Sequence, residues 1–432
     1  MEILFLTQII PYPPDAGPKV KTWHVLRYLA GRGHRVTLAS FVRPEEAGHV
    51  AELRTVCAEV HTVPIRRSRM ADAGYWLRSH LTGRPFLIER DDLGEMRALV
   101  QRLVADRPFD AIHCDQLTMA QFALPFARRA EAGAAPSNER PRLVFDAHNA
   151  VWTIIERMGE NAPALLKPVA ALEARRVKRY EGMIVRHFDH TLAVTEPDRQ
   201  ALIQAAANGT APRAEDHILV VPIAVDTGQL QPAARRPGLN RIVTLGTLHY
   251  PPNADGIRWF AQEVFPLVRQ QAPGASLTII GKNPPHDFLQ LAAQDPQAFT
   301  VTGYVPDLTP YLEEAALMVV AVRAGGGMRV RILEAFARAM PVVTTTVGLE
   351  GIDARPGDEV LVADGPQAFA EAVVRLLRDP QLQARLAAAG RRLAEQRYDW
   401  QVVLDRMDSI YAAGEPELAE ERNYRNSSLD PR

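Results

Sequence analysis

The sequence predicts an α/β protein made of two doubly wound, Rossmann-like domains that face each other across a cleft. Three observations predict it. Short apolar runs alternate with longer helical patterns along almost the whole chain, which is how parallel sheets with crossover helices read. The alternation halts at a turn-rich stretch, residues 226–240, containing Pro232, Pro237 and Gly238, and then restarts. The 432 residues exceed what one ordinary core carries.

In the first half, the runs at 3–7, 35–41, 60–65, 111–114, 143–147, 191–195 and 219–223 read as buried strands. Helical patterns at 21–32 and 163–186 lie among them. A new first strand follows at 241–248, then strands at 276–281, 299–305, 317–322, 341–347 and 360–363. Helical patterns at 254–271, 329–339, 367–378 and 381–395 separate these. The expected division is a first domain over 1–225, a second over 226–400, and a closing helix over 401–413 that crosses back to the first. Residues 131–142 read as a surface loop, and the polar, aperiodic tail 414–432 as disordered. Ligands of such sheets bind beyond the carboxyl ends of the strands, so the two sets of ends are expected to share one cleft.

Composition excludes several functions. A formal net charge of −1 carries no global nucleic-acid footprint. Two cysteines, Cys57 and Cys114, build neither a disulfide framework nor a cysteine zinc cluster, and suit a reducing compartment. The first residues read as a strand followed by prolines rather than as a secretion signal, and no apolar stretch reaches the ~18 residues of a membrane span. Asn208 and Asn426 head glycosylation-like triplets that read as chance matches in a cytoplasmic chain. No G-x-G-x-x-G follows the first strand, and no P-loop, D-x-D or closely spaced histidine set occurs. The expectation is therefore no metal and no cofactor. The basic helical stretch 173–186 reads either as a solvated face or as a helix lying on an anionic membrane.

The informative segment is Ala324-Gly-Gly-Gly-Met-Arg-Val-Arg-Ile-Leu-Glu334. A strand runs into three glycines and then a helix. Glycines admit close approach to the backbone, and a helix start offers free N–H groups and positive partial charge, so phosphate binding is expected here. Gly327, Arg331 and Glu334 fall on one face if the helix starts at the glycines. That places a diphosphate at Gly326, Gly327, Arg329 and Arg331 and a ribose diol on the Glu334 carboxylate. The alternatives are a turn before a surface helix, and an i,i+3 ion pair between Arg331 and Glu334. Lys282 follows a strand and a glycine and is expected at the cleft edge, where an exposed loop lysine is the alternative. Gly17 lets the first loop approach phosphates or acceptor, or is a turn glycine. Asp115 and Glu350 are further cleft candidates.

This segment resembles the helix motif of family 4 glycosyltransferases, which have the GT-B fold. So do Leu245-Gly-Thr-Leu-His-Tyr-Pro-Pro-Asn-Ala-Asp, Ile280-Gly-Lys-Asn-Pro-Pro, Gly303-Tyr-Val, Thr346-Val-Gly-Leu-Glu-Gly-Ile and Tyr398-Asp-Trp. In the first half, Pro11-Tyr-Pro-Pro-Asp-Ala-Gly and Asp146-Ala-His-Asn are similar to the first loop and to the strand end carrying the active-site histidine. The closest subgroup serves exopolysaccharide and cell-envelope synthesis. The resemblance implies a retaining transferase that moves a sugar from a UDP- or GDP-sugar, bound by the second domain, to a polysaccharide, lipid-linked or small-molecule acceptor on the first. It implies His148, Arg331 and Arg329 as catalytic residues, with Gly17, Lys282, Gly326, Gly327, Glu334 and Glu350 binding the donor. Peripheral contact with the cytoplasmic membrane face is part of the same expectation. Departures are visible. Gly326 stands where the E-x7-E pair has its first Glu, and Thr247 and Asn253 replace a basic pair. Pro222-Ile-Ala-Val-Asp stands for Pro-Asn-Gly-Val-Asp. Arg329 and Arg331 are expected to supply the missing counter-charge. A degenerate nucleotide-sugar binder and a nucleotide-sugar epimerase are the alternatives.

Overall fold

The computed structural model describes residues 1–127, 140–160, 162–207 and 217–412. Most of the loop 131–142, the tail from 413 and both Asn208 and Asn426 lie outside the described residues. The first sheet has strands β1 Glu2–Thr7, β2 Arg35–Val42, β3 Glu59–Pro64, β4 Ala111–Asp115, β5 Arg142–Ala147, β6 His190–Ala193 and β7 Ile218–Val220, in the order β3-β2-β1-β4-β5-β6-β7. The second has β8 Arg241–Leu245, β9 Ser276–Ile280, β10 Phe299–Gly303, β11 Leu317–Val320, β12 Val342–Thr344 and β13 Leu361–Val362, in the order β10-β9-β8-β11-β12-β13. The pairings within both sheets are parallel. Ile3, Leu4, Phe5 and Leu6 are all fully buried, as a strand covered on both faces requires.

Some expected boundaries move. The run at 341–347 is cut short because Thr345 caps a short helix, Thr346–Leu349, by accepting from the Gly348 N–H. The helix expected from 163 begins at Lys167, one residue before Pro168, whose fixed φ suits a first turn.

Residues 399–411 tie the two halves together. Val225 and the Asp399 region exchange backbone bonds: Val225 N donates to Tyr398 O, and Trp400 N to Val225 O, both at 2.9 Å. Asp399 caps the helix Trp400–Leu404, accepting from Gln401 N, and also accepts from the Thr227 hydroxyl at 2.6 Å. The chain then packs Val403, Leu404, Met407, Ile410 and Tyr411 into the first domain's core, against Ile3, Val25 and Leu29. Arg27 stacks its guanidinium 4.6 Å from the Trp400 ring centre and pairs with Asp226 at 2.9 Å.

His24 sits in this junction, 6.0 Å from Trp400 between ring centres. Burial, with Arg27 nearby, lowers its pKa to about 4 despite the opposing pull of Asp226 and Asp399. The folded value lies below the unfolded one, so the fold binds fewer protons than the unfolded chain between them. The stability His24 contributes is complete above pH 6.5 and lost as pH falls towards 4. The gap corresponds to roughly 3 kcal/mol at 1.36 kcal/mol per unit. Urea unfolding at several pH values is expected to show this acid slope in the parent and a flatter one in His24→Gln. Equal slopes would contradict the assignment.

Candidate functional site

The first domain brings a row of polar side chains to the carboxyl ends of its central strands. Thr7, Asp115 and Asp146 are register neighbours on β1, β4 and β5, so their side chains share one face. All three are fully buried. The helix Gly17–Gly31 lays Lys21 and Thr22 on them. The Lys21 ammonium contacts the Asp146 carboxylate, and His113 Nε2 lies 3.5 Å from its other oxygen. Burial alone would raise the Asp146 pKa; Lys21, His113 and His148 outweigh it and hold the carboxyl well below the usual range. His113 is itself fixed, stacked on Phe5 at 4.4 Å and bonded through Nδ1 to the Tyr411 hydroxyl at 2.6 Å.

His148 follows β5 and belongs to the same network. Its Nε2 meets Asp115 Oδ1 at 2.7 Å, while Asp115 also accepts from the Thr7 hydroxyl at 2.8 Å. The His148 Nδ1 is buried without a protein partner. An ionised carboxylate only accepts, so in the neutral ring Asp115 sets the proton on Nε2 and leaves Nδ1 as the acceptor. The following helix, Val151–Glu160, is anchored by Glu181, whose carboxylate accepts from the N–H groups of Val151 and Trp152 at 2.8 and 3.0 Å. Burial pushes the Glu181 carboxyl up to about 8, with those two N–H groups pulling the other way.

In the second domain the helix begins at Val330, three residues beyond Gly327. Gly325 and Gly327 have φ of +105° and +86°, which a right-handed helix does not admit. Gly327 therefore lies in the loop, and the single helical face expected through Gly327, Arg331 and Glu334 reduces to the last two. Arg329 precedes the helix and is wrapped by its own loop. Its Nη1 donates to the carbonyls of Gly326 and Gly327 at 2.6 and 2.7 Å, and Nη2 to that of Gly325 at 3.0 Å. Arg329 is expected on a diphosphate; its N–H groups are here spent on the carbonyls of its own glycine loop.

Arg331 does something different. Its Nη1 donates to the Leu245 carbonyl at 2.8 Å and its Nη2 to Asn253 Oδ1 at 2.5 Å. The guanidinium thus lies at the carboxyl end of β8, against Asn253, one of the two residues that stand where a basic pair was expected. A Cβ on Gly246 would stand 2.6 Å from Arg331 Nη1, so the glycine makes room for this side chain. Burial, then the charge of Arg329, lowers the Arg331 pKa to about 10, with Glu334 opposing. No ion pair joins Arg331 to Glu334 among the described residues. Burial raises the Glu334 pKa, with Arg338 and Arg331 opposing.

The two halves meet at the glycine loop. A Cβ on Gly17 would touch Val330 at 3.3 Å, and one on Gly327 would meet Asn149 Oδ1 at 2.8 Å. Arg157 reaches across to Glu350 at 3.5 Å. Asn149, Arg157, Gly326, Gly327 and Glu350 line one cavity of about 50 Å³. That is too small for a nucleotide. Lys282 spans the mouth, bonding Asp15 of the first loop at 2.9 Å and lying 4.4 Å from the Tyr304 ring centre. Asp15 is raised by burial, but its bond to Lys282 and the charge of Lys19 bring its pKa below the ordinary value.

Sequence reasoning passed over Lys21, Thr22, His113 and Arg157. The first three act through register between strands and a crossing helix, which spacing does not reveal. Arg157 carries no motif. His113, Asp115 and Asp146 bring ligand-type atoms within 4.8 Å of one another, but the Lys21 ammonium already contacts Asp146 and balances charge there.

Comparison with known proteins agrees with the fold. Residues 240–379 match the family of glycosyl transferases group 1. The glycogen synthase of Mycobacterium tuberculosis is 26% identical over 258 residues, which cover 57% of this chain and 59% of that protein. The alignment thus spans under two-thirds of this relative. The Anabaena HepE protein crystallised with UDP superposes with a TM-score of 0.66 at 15% identity, covering 95% of this chain and 99% of that one. WaaG, a glycosyltransferase involved in lipopolysaccharide biosynthesis, gives 0.62 at 14% identity, covering 95% and 100%. The chain has the GT-B fold, two Rossmann-like domains across a cleft. Its similarity to the group 1 glycosyl transferases lies in the second domain, over residues 240–379.

Histidine nitrogen-15 NMR tests the His148 geometry. Twelve histidines are present, and the His148 signal is the one missing from His148→Gln. The neutral ring is expected with its proton on Nε2 and Nδ1 unprotonated. A proton on Nδ1 in the neutral ring would contradict the Asp115 contact.

Proposed function

We propose that the chain is a retaining glycosyltransferase that moves a sugar from a UDP- or GDP-sugar onto a polysaccharide, lipid-linked or small-molecule acceptor of cell-envelope type. The observation that carries this is the Arg331 guanidinium, partly buried at the end of β8 and bonded to Leu245 and Asn253 without a carboxylate partner among the described residues. A cation kept there without a counter-charge is costly unless an anion arrives. A diphosphate is that anion, and a guanidinium bonds it in a planar fork. The group 1 match over 240–379 and the UDP in the HepE crystal support the same ligand class.

In this reading the diphosphate lies between Arg331 and the N–H groups of the glycine loop, which Arg329 shapes. The ribose reaches Glu334, three residues along the helix. The donor sugar points to the first domain, where the bare Nδ1 of His148 accepts a sugar hydroxyl. The acceptor hydroxyl attacks from the face the diphosphate leaves. The departing phosphate oxygen takes its proton, so no protein base is needed. The protein's work is orientation and stabilisation of charge growing on the leaving diphosphate, without a metal. Glu350 supplies a carboxylate to the cavity that Gly326 lines, in the region where the family has the first Glu of its pair. Lys282 exchanges Asp15 for donor when the cleft opens.

Glu334→Ala is expected to lose roughly ten- to hundred-fold in UDP affinity, since a charge-assisted hydrogen bond contributes ~1.5–3 kcal/mol. Calorimetry with UDP and GDP checks it, and unchanged affinity for both removes Glu334 from the ribose. Release of free nucleotide from UDP-glucose or GDP-glucose should persist in EDTA. Loss restored by Mg²⁺ would overturn the metal-free arrangement. Tight binding with no release from any donor would favour a degenerate binder, the reading to which Gly326 points.

A further inference from the structure

The glycine loop meets a guanidinium of the first domain that the transfer reaction described above does not use. Arg157 lies on the helix Val151–Glu160, which follows the strand end carrying His148. Thr153 and Arg157 are four residues apart there, so they share one face of the helix. With Asn149 they line the small cavity against Gly326, Gly327 and Glu350. A Cβ on Gly326 would stand 3.1 Å from Arg157 Nη1, tighter than side chains ordinarily pack. Gly325 and Gly327 turn positive in φ and Gly326, between them, does not. The backbone therefore does not demand glycine at 326; what the missing side chain does is leave room for Arg157. Where the expected motif has its first carboxylate, a cation reaches over from the opposite domain.

The charges facing Arg157 define what it can receive. Glu350 approaches Nη1 at 3.5 Å, the outer limit of a hydrogen bond, and both side chains are well exposed, so the pair is weakly held. Asp198 lines the same cavity, but its carboxylate is engaged within the first domain. It accepts from the Ala150 N–H at 3.0 Å and from the Thr195 hydroxyl at 2.5 Å. Arg329 is near enough for the two guanidiniums to act on each other. Burial lowers the Arg329 pKa, Glu350 and Tyr250 oppose that, and Arg157 reinforces it. This corner of the cleft thus sets two guanidiniums beside the Glu350 carboxylate.

In the transferase reading, on which this inference rests, the donor sugar lies between the glycine loop and His148. Arg157 overlooks that space. A neutral hexose offers it hydroxyls alone. A sugar acid offers a carboxylate, which a guanidinium bonds in a planar fork and about twice as strongly as a neutral group. A carboxylate at position 326 would repel the same donor. We infer that Arg157 selects a nucleotide-activated hexuronic acid as the donor. Glu350 already approaches the guanidinium from the cavity, and the donor's carboxylate takes over that contact. Asn149 and Thr153 remain as neutral partners for the sugar's hydroxyls.

Calorimetry with matched donors tests this without an acceptor. The parent is expected to bind UDP-glucuronic acid about ten- to hundred-fold more tightly than UDP-glucose, or GDP-mannuronic acid than GDP-mannose, the range of a charge-assisted hydrogen bond. Arg157→Ala should bind the acidic and the neutral donor alike. Arg157→Lys should keep part of the preference, because it returns the charge without the fork. Gly326→Glu, which the backbone there admits, should abolish the preference by the opposite route. UDP and GDP carry no sugar and should bind Arg157→Ala as they bind the parent; a loss there would assign Arg157 to the diphosphate and overturn the inference. Equal affinity of the parent for acidic and neutral donors overturns it too, and leaves the transferase reading standing. So does a preference that survives Arg157→Ala. A parent that binds neither nucleotide would remove the transferase reading, and this inference with it.

Discussion

The cleft half contributed by the second domain is organised around one partly buried cation. Arg331 reaches from the first turns of its helix to the end of β8, where Gly246 leaves the space and Leu245 and Asn253 receive its N–H groups. Two of the guanidinium's five donors are taken this way, and the rest are available to a ligand. The geometry links sequence changes that are distant from one another. Thr247 and Asn253 carry no charge, and the charge that the family places there arrives instead from another helix. Asn253 changes role, from a substitute for a cation to the acceptor that holds one. Arg329 completes the arrangement by fixing three loop carbonyls, so that the loop's shape does not depend on a ligand.

The first domain balances its charge internally. Lys21 compensates Asp146, and Asp115 is bonded to His148, Thr7 and Thr22. His148 Nδ1 is buried there without a partner, as are His113 Nε2 and Asp146 Oδ2, which face each other at 3.5 Å. One half of the cleft therefore offers a cation without a carboxylate partner among the described residues, and the other the unpartnered His148 Nδ1. Between them the contacts are small: a half-exposed Lys282–Asp15 pair, the Arg157–Glu350 approach, and van der Waals contact at Gly17. Exposed pairs of this kind contribute ~0–1 kcal/mol each. Such contacts are weak enough to break when a donor enters, whereas the Val225–Asp399 junction and the apolar packing of residues 403–411 hold the halves together on the far side. Opening at the cleft with a fixed junction is a hinge motion.

Much of the fold was legible because buried parallel strands write themselves as apolar runs. Residues 3–7, 35–41 and 317–322 could hardly read otherwise, and each is a strand within a residue or two at its ends. The glycine loop was legible in its chemistry and not in its shape. A pattern of glycines before a helix does not say which of them turns positive in φ, so Gly327 read as sharing a helical face with Arg331 and Glu334, whereas the helix begins at Val330, close to the expected 329. For the same reason Arg329 and Arg331 read alike, though one faces its own loop and the other a strand end 86 residues away in sequence. Asp115 was a minor candidate because a lone carboxylate carries no motif; only the register of β1, β4 and β5 puts it beside His148.

The central claim is that Arg331 holds the donor's diphosphate. Calorimetry with uridine, UMP and UDP tests it most directly, on the parent and on Arg331→Ala and Arg331→Lys. The account predicts that the alanine variant loses at least roughly tenfold in UDP affinity, the size of one charge-assisted hydrogen bond or more. Uridine and UMP should bind as before, and lysine should recover part of the loss because it returns the charge without the fork. Equal losses for all three ligands would mean that Arg331 only braces β8, and unchanged UDP affinity would place the diphosphate elsewhere in the cleft.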